Sequence, residues 1–375
     1  MPIYANQDLV AQSDEMEGWN TPLNRRASFH NLHRIIRYGF SVRAPDVLKL
    51  TSCIDARIAE LGSVQQMCSS DFFSAMVVLR GEQLVYEQYA PDFAPHQAHT
   101  IMSITKTMTH LIMGRCVEDG LIDLNAKVCD YLPEIGSGYA DAIIQNVLDM
   151  NIVNDYSEDY SDLHTTALLH NASMGWRLPA ANVRLTSNRD FLCTIGSNDL
   201  LNRSGEVNYK SASTDVLAWI AERVSGQALR DHLIRIVEAA GIEHTFYMST
   251  DHTAVPNTNG GACLSARDLA RLGLIFARRG RGINGKLVGS HTFMDAARRC
   301  TGPTYPPPDN HIHYGNQLKT NGRWVGHGGW GGQLLMVDPE TTTVVVFFSV
   351  LENQSASDDN HSRAIVQMAE EVIGC

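Results

Sequence analysis

The chain lacks several features that would point to common chemistries. Its eight cysteines (Cys53, Cys68, Cys116, Cys129, Cys193, Cys263, Cys300 and Cys375) are scattered and contain no CxxC pair. That distribution argues against a disulfide framework and for reduced thiols. No apolar run approaches the roughly 20 residues needed to span a bilayer. The first residues, MPIYANQDLVAQSDEMEGW, have neither a basic n-region nor an apolar h-region. A cytoplasmic location is therefore expected rather than a secreted one. Positive charge is not in excess: the net charge is −11, which disfavours nucleic acid and anionic membrane as partners. No HExxH occurs, and His311 and His313 alternate in a Pro-rich segment, so they read as an exposed loop and no metal is expected. No GxSxG occurs either, which disfavours a nucleophile elbow. Gly280-Arg281-Gly282-Ile283-Asn284-Gly285 spells GxGxxG, but it follows a helical pattern where a dinucleotide site needs a strand.

What is present is a β-rich pattern at both ends of a 375-residue chain and helices between. Residues up to about Asn20 read as a loose polar arm. Ala75 to Tyr89 reads as two strands joined at Gly81. Ser103 to Asp119 reads as a helix with Met108, Leu111, Ile112 and Cys116 on one face, stopped by Gly120. Thr214 to Val224 is a second helix, closed by Gly226. Ala266 to Arg279 is a third, with Ser265 as cap and Asp268 three residues on, as in a capping box. Gln333 to Val337 and Thr342 to Val350 read as a hairpin about Pro339 and Glu340, and His361 to Ile373 as a closing helix. The expected fold is α/β plus all-α. A discontinuous α/β domain (1–132 and 278–375) holds an antiparallel sheet flanked by helices, and a helical domain (133–277) is inserted in it. A cleft between two such units is a usual place for an active site.

Three local patterns bear chemistry. Ser103-Ile104-Thr105-Lys106 is an SxxK at a helix start. Residues three apart share a helix face, so the amine sits beside the hydroxyl. The helix N-terminus favours developing negative charge. A serine needs a base to become a nucleophile, and a partly buried lysine can be neutral and serve. Taken alone, SxxK more often describes a capping serine beside an exposed lysine. Asn208-Tyr209-Lys210-Ser211 precedes the second helix; its tyrosine can relay protons or simply be packed. Gly326-His327-Gly328-Gly329-Trp330-Gly331-Gly332-Gln333 lets a backbone approach a ligand closely, or is a glycine-rich turn.

The order SxxK, then YxS, then HGG before a final hairpin and helix is more specific than any one of them. It resembles the superfamily of serine β-lactamases, penicillin-binding proteins and family VIII esterases, and within it the branch of nylon-oligomer amidases. The similarity runs through Gly18-Trp19, Met102 to Lys106, Asp155 to Tyr160, Gly175-Trp176-Arg177, Tyr209 to Val224, Asn259-Gly260-Gly261, Ala266 to Arg271 and Gly332-Gln333. The resemblance implies Ser103 as nucleophile, Lys106 and Tyr209 as general base and acid, and the N–H groups of Ser103 and Trp330 as oxyanion hole. It implies that Tyr160 assists amide cleavage, that Trp176 lies on a loop closing over substrate, and that Asn171 and Asn259 line the pocket. Ser211, His327, Gly328 and Gly329 are expected on the substrate side, with no organic cofactor.

Two departures matter. The branch carries an aspartate that holds a substrate ammonium where this chain has Asn171, so the charge-assisted attraction is lost. The lysine of the third triplet is replaced by His327, which argues against strong β-lactam turnover. The leading expectation is a hydrolase of a small ester or amide working through an acyl-enzyme on Ser103. An acyltransferase using the same intermediate and a non-enzymatic, acylatable binding protein are the alternatives. Pairing of two copies as a homodimer is left open.

Overall fold

The computed structural model describes residues 16, 18–159, 162, 165–178, 185–283 and 285–375. Twelve strands among these form two sheets: β1 (Gly39–Val42), β2 (Thr51–Ser52), β3 (Phe73–Arg80), β4 (Gln83–Tyr89), β5 (His99–Thr100), β6 (Phe246–Ser249), β7 (Ala262–Leu264), β8 (His313–Gly315), β9 (Leu318–Thr320), β10 (Val325–Gly329), β11 (Gln333–Asp338) and β12 (Thr343–Ser349). The large sheet has the order β2-β4-β3-β12-β11-β10-β9-β8. Only the β2–β4 pair is parallel. Its centre joins the two ends of the chain through the antiparallel pair β3–β12.

β3, β11 and β12 are buried almost without interruption. Side chains of a strand alternate between faces, so continuous burial requires cover on both. The Ala266–Ala277 and Asp359–Gly374 helices supply it. The former lies close because residue 273 is glycine: a Cβ there would come within 2.5 Å of Val344. The sequence places this helix at the end of the helical unit, with the boundary at 277/278. In the structure it packs on the sheet instead. β6 and β7, from the same 133–277 stretch, pair with β1 and β5 of the first segment. Apolar periodicity marks a face as buried but does not say against what.

The hairpins about Gly81 and after Asp338 form as expected. Gly226 ends the Ser211–Ser225 helix in the left-handed conformation, φ +64°. Ser265 caps its helix by accepting from the Asp268 N–H at 3.2 Å. The Asp268 carboxylate, expected to close a box on the cap, instead accepts from the Glu243 and His244 N–H groups and pairs with Arg271. The end of the expected loose arm is packed: Met16 and Trp19 are buried, and the Trp19 indole donates to the Trp176 carbonyl at 3.0 Å. His313 lies in β8 and donates through Nδ1–H to the Gly302 carbonyl at 2.9 Å, so it is no exposed loop residue. All eight cysteines are free. No helix among the described residues is long and apolar enough to cross a membrane.

Candidate active site

The small sheet sets the site. β5 pairs with β7, and the Ile101 N–H donates to the Ala262 carbonyl at 3.0 Å. The chain leaving β5 is thereby held beside the segment entering β7. It turns at once into a 3₁₀ turn, Met102–Thr105, and then the Lys106–Glu118 helix. The first turn of the expected helix is thus tighter than α. Met102 has φ +47°, a left-handed conformation that costs a non-glycine residue of order 1 kcal/mol. It stands directly before Ser103. On the other side β10 comes in against the same turn: a Cβ at Gly329 would lie 2.5 Å from the Ile101 carbonyl oxygen. Only glycine lets the strand come so near.

Lys106 is fully buried, and its ammonium donates to Ser103 Oγ at 3.0 Å, Ser211 Oγ at 3.0 Å and the Asn259 carbonyl at 2.6 Å. Three donors meet three acceptors. Burial pushes its pKa down to about 8, against the upward pull of Glu158 and Asp215. Once one proton leaves, the lone pair must face a group able to donate. The carbonyl cannot, so it faces one of the two hydroxyls. The 3.0 Å contact makes Ser103 a hydroxyl with a base in place.

Tyr209 presents its ring to this amine, with Lys106 Nζ 5.1 Å from the ring centroid. The ring also packs edge-on against Tyr314 at 6.0 Å. His327 is buried, with Nε2 3.1 Å from the Tyr314 hydroxyl and Nδ1 2.6 Å from the Gly328 carbonyl. Burial, then the charges of Lys319 and Lys106, push its pKa well below the usual histidine value. Neutral and held at both nitrogens, it is a wall of the site rather than a base for Ser103.

Trp330 occupies the turn between β10 and β11. Its indole donates to the Ser355 carbonyl at 3.0 Å, and the Arg25 guanidinium lies 5.4 Å from its ring centroid. Gly331 and Gly332 follow at φ +86° and +96°. This fixes the backbone where the oxyanion hole is expected.

Ser103, Asn171, Trp176, Tyr209, Ser211, Asn259, His327, Gly328, Gly329 and Trp330 all line one cavity of about 680 Å³. The sequence therefore names one place. Some roles differ. Ser211 turns its hydroxyl to Lys106 rather than outward. Asn259 gives its carbonyl to Lys106, while its amide donates to Asp215 at 2.5 Å. Trp176 is buried, its indole donating to Ser249 Oγ at 2.9 Å. Tyr160 lies outside the described residues. No group of three or more potential metal ligands occurs among the described residues.

Three residues given no role from sequence support the site. Asp215 accepts from Asn259 and Thr258, at 2.8 Å for the latter, and from Asn188 at 2.9 Å, with His170 Nε2 3.2 Å away. Burial would raise its pKa, but the bonds from His170, Asn188 and Asn259 win and hold it low. Glu158 accepts from the Ser211 N–H at 2.5 Å, at the start of that helix. Lys319 enters the cavity from β9. A carboxylate four residues beyond Ser211, hence on its helix face, was a readable signal for Asp215; Lys319 had none.

A family model described as Beta-lactamase matches residues 73–369. The chain belongs to the beta-lactamase family. It is 31% identical over 362 residues to the 6-aminohexanoate-dimer hydrolase of Paenarthrobacter ureafaciens, covering 91% of this chain and 89% of that one. A solved structure from Bacillus anthracis, proposed to be a 6-aminohexanoate-dimer hydrolase, superposes with a TM-score of 0.81 at 20% identity, over 98% of this chain and 97% of that one. A family VIII carboxylesterase superposes with a TM-score of 0.58 at 14% identity, over 88% and 98%. The last two show the fold. This beta-lactamase-family chain is accordingly a hydrolase related to 6-aminohexanoate-dimer hydrolase.

Proposed function

We propose that the protein cleaves a small ester or amide through an acyl-enzyme on Ser103. The observation that carries this is the 3.0 Å contact between Ser103 Oγ and the amine of Lys106, whose pKa burial brings to about 8, at the wall of a substrate-sized cavity. Neutral Lys106 takes the hydroxyl proton as Ser103 Oγ bonds to the substrate carbonyl carbon. The oxyanion is held by the N–H groups of Ser103 and Trp330. As the tetrahedral carbon collapses, the bond to the leaving group breaks. Tyr209, resting against Lys106, protonates the leaving oxygen or nitrogen and is recharged by the lysine. Water then repeats the sequence on the Ser103 ester and frees the acid. The relative's name makes linear amides of ω-amino acids the first substrates to try, and Asn171 makes an amino-terminal cation dispensable. Eight free cysteines support a reducing, cytoplasmic setting.

The test is turnover of p-nitrophenyl esters and linear amides by the wild-type and Ser103→Ala proteins, with mass spectrometry for an acyl or phosphonate adduct on Ser103. Loss of both turnover and adduct in the variant is expected. Undiminished turnover would refute the assignment. Added alcohol or amine reports acyl transfer as a distinct product.

A further inference from the structure

Lys319 differs from the other cations of the cleft in what surrounds it. It stands in β9 between Tyr314 of β8 and Gly326 of β10. It is largely buried and lines the same cavity as Ser103. Its ammonium lies 4.4 Å from the Tyr305 ring centroid. It also runs beside Gly328, where an added Cβ would be 3.7 Å from Nζ. Among the described residues no carboxylate lies within ion-pair distance of it and no acceptor is hydrogen-bonded to it. Asp309 is the acid that acts on it electrostatically, but Asp309 pairs with Arg363 at 3.4 Å. Glu370, on the C-terminal helix lining the same cavity, is taken by the Trp324 indole and Asn321. From β10 it faces neutral His327, and from β8 and the loop before it the phenols of Tyr314 and Tyr305.

An ammonium drawn away from water pays for the loss of hydration unless an anion or several acceptors replace it. Here an aromatic face supplies part of that compensation, and the open side faces the cavity. The lack of a side chain at Gly328 keeps that side open. We propose that the cleft takes substrates bearing a carboxylate and that Lys319 is the cation that holds it, alongside β10. The proposal rests on the acyl-enzyme reading only for the orientation of the substrate. The anchoring group comes from β9, the strand next to the glycine-rich one.

The experiment measures binding without turnover. Ser103→Ala protein is titrated by calorimetry at pH 7 with N-acetyl-6-aminohexanoate and with its neutral carboxamide. The acid is expected to bind at least about tenfold tighter, as a charge-assisted contact gives. Adding Lys319→Met should bring the ratio close to one. Lys319→Arg should keep most of it. The ratio should also fall as pH rises past about 8, where Lys319 loses its proton, and should hold over that range in the Lys319→Arg protein. If the methionine variant does not fold, this pH comparison decides. Acid binding no tighter than carboxamide binding, or a ratio unmoved by Lys319→Met, overturns the proposal. The acyl-enzyme reading fails separately, through esterase activity that survives Ser103→Ala.

Discussion

Lys106 and Lys319 are the same side chain at one site, Lys319 lining the cavity and Lys106 buried behind Ser103, and burial brings both to about 8. Their surroundings differ. Lys106 meets the Ser103 hydroxyl, the Ser211 hydroxyl and the Asn259 carbonyl. Lys319 meets the Tyr305 ring and open space. Lys210 completes the set: also brought to about 8, it donates to the Tyr156 carbonyl at 2.7 Å and never reaches the reacting atoms. Burial sets how readily each amine gives up its proton; the neighbours set what it can do with that property. A lysine aimed at a hydroxyl is a base. A lysine with an open side receives an anion. A lysine on a carbonyl is a strut.

The sharpest way to break this comparison is Lys106→Met. It removes the amine hydrogen-bonded to Ser103, and kcat/KM should fall by about a thousandfold or more, with labelling of Ser103 by a phosphonate lost alongside. A variant that still turns over at a tenth of the original rate would place the base elsewhere. Next is Gly329→Ala, whose new methyl would strike the Ile101 carbonyl. Moving β10 from the Ser103 turn by about 1 Å should cost roughly a hundredfold in kcat, while circular dichroism shows an intact fold. Asn171→Asp adds an anion to a cleft whose open cation is Lys319. It should improve kcat/KM for amino-terminated amides by about tenfold and leave their acetylated analogues behind.

The smallest effect concerns pH. Lys106 must be neutral to act, so kcat/KM for an uncharged ester should rise with pH and level off above about 8. The acid-over-amide preference held by Lys319 should fall over that same range, because it needs the charged form. Asp215 holds the Lys106 pKa up. Asp215→Asn should therefore move the rising limb to lower pH and leave the Lys319 limb where it is, a change of a few-fold at pH 7. Stopped-flow profiles that shift together would deny that the two amines are separately controlled.

Much of the fold was readable because it is local. Gly81 and the Pro339–Glu340 pair announce hairpins, Ser265 a cap and Gly226 a stop, each through backbone conformation within a few residues. Ser103 and Lys106 were readable for the same reason, since one turn of helix brings them together. The partnership of Asn259 with Lys106 was not, because it depends on the pairing of β5 with β7, His99 lying opposite Leu264 from far along the chain. Family likeness supplied the position of Asn259 but not its task, which is to hold the lysine through a carbonyl and Asp215 through an amide. The Ala266–Ala277 helix shows the same limit: its burial was evident, its place on the sheet was not.

By itself, then, the order of residues determined the pairing of Ser103 with Lys106, the glycine-rich strand and the class of fold, since these depend on spacing along one element or on motif order. Tertiary structure alone decided which lysine is wired and which is open, because an amine's partners are carbonyls and hydroxyls brought in from distant strands. Those contacts fix a side chain's charge and direction through burial and geometry, and neither is encoded in its own neighbours along the chain.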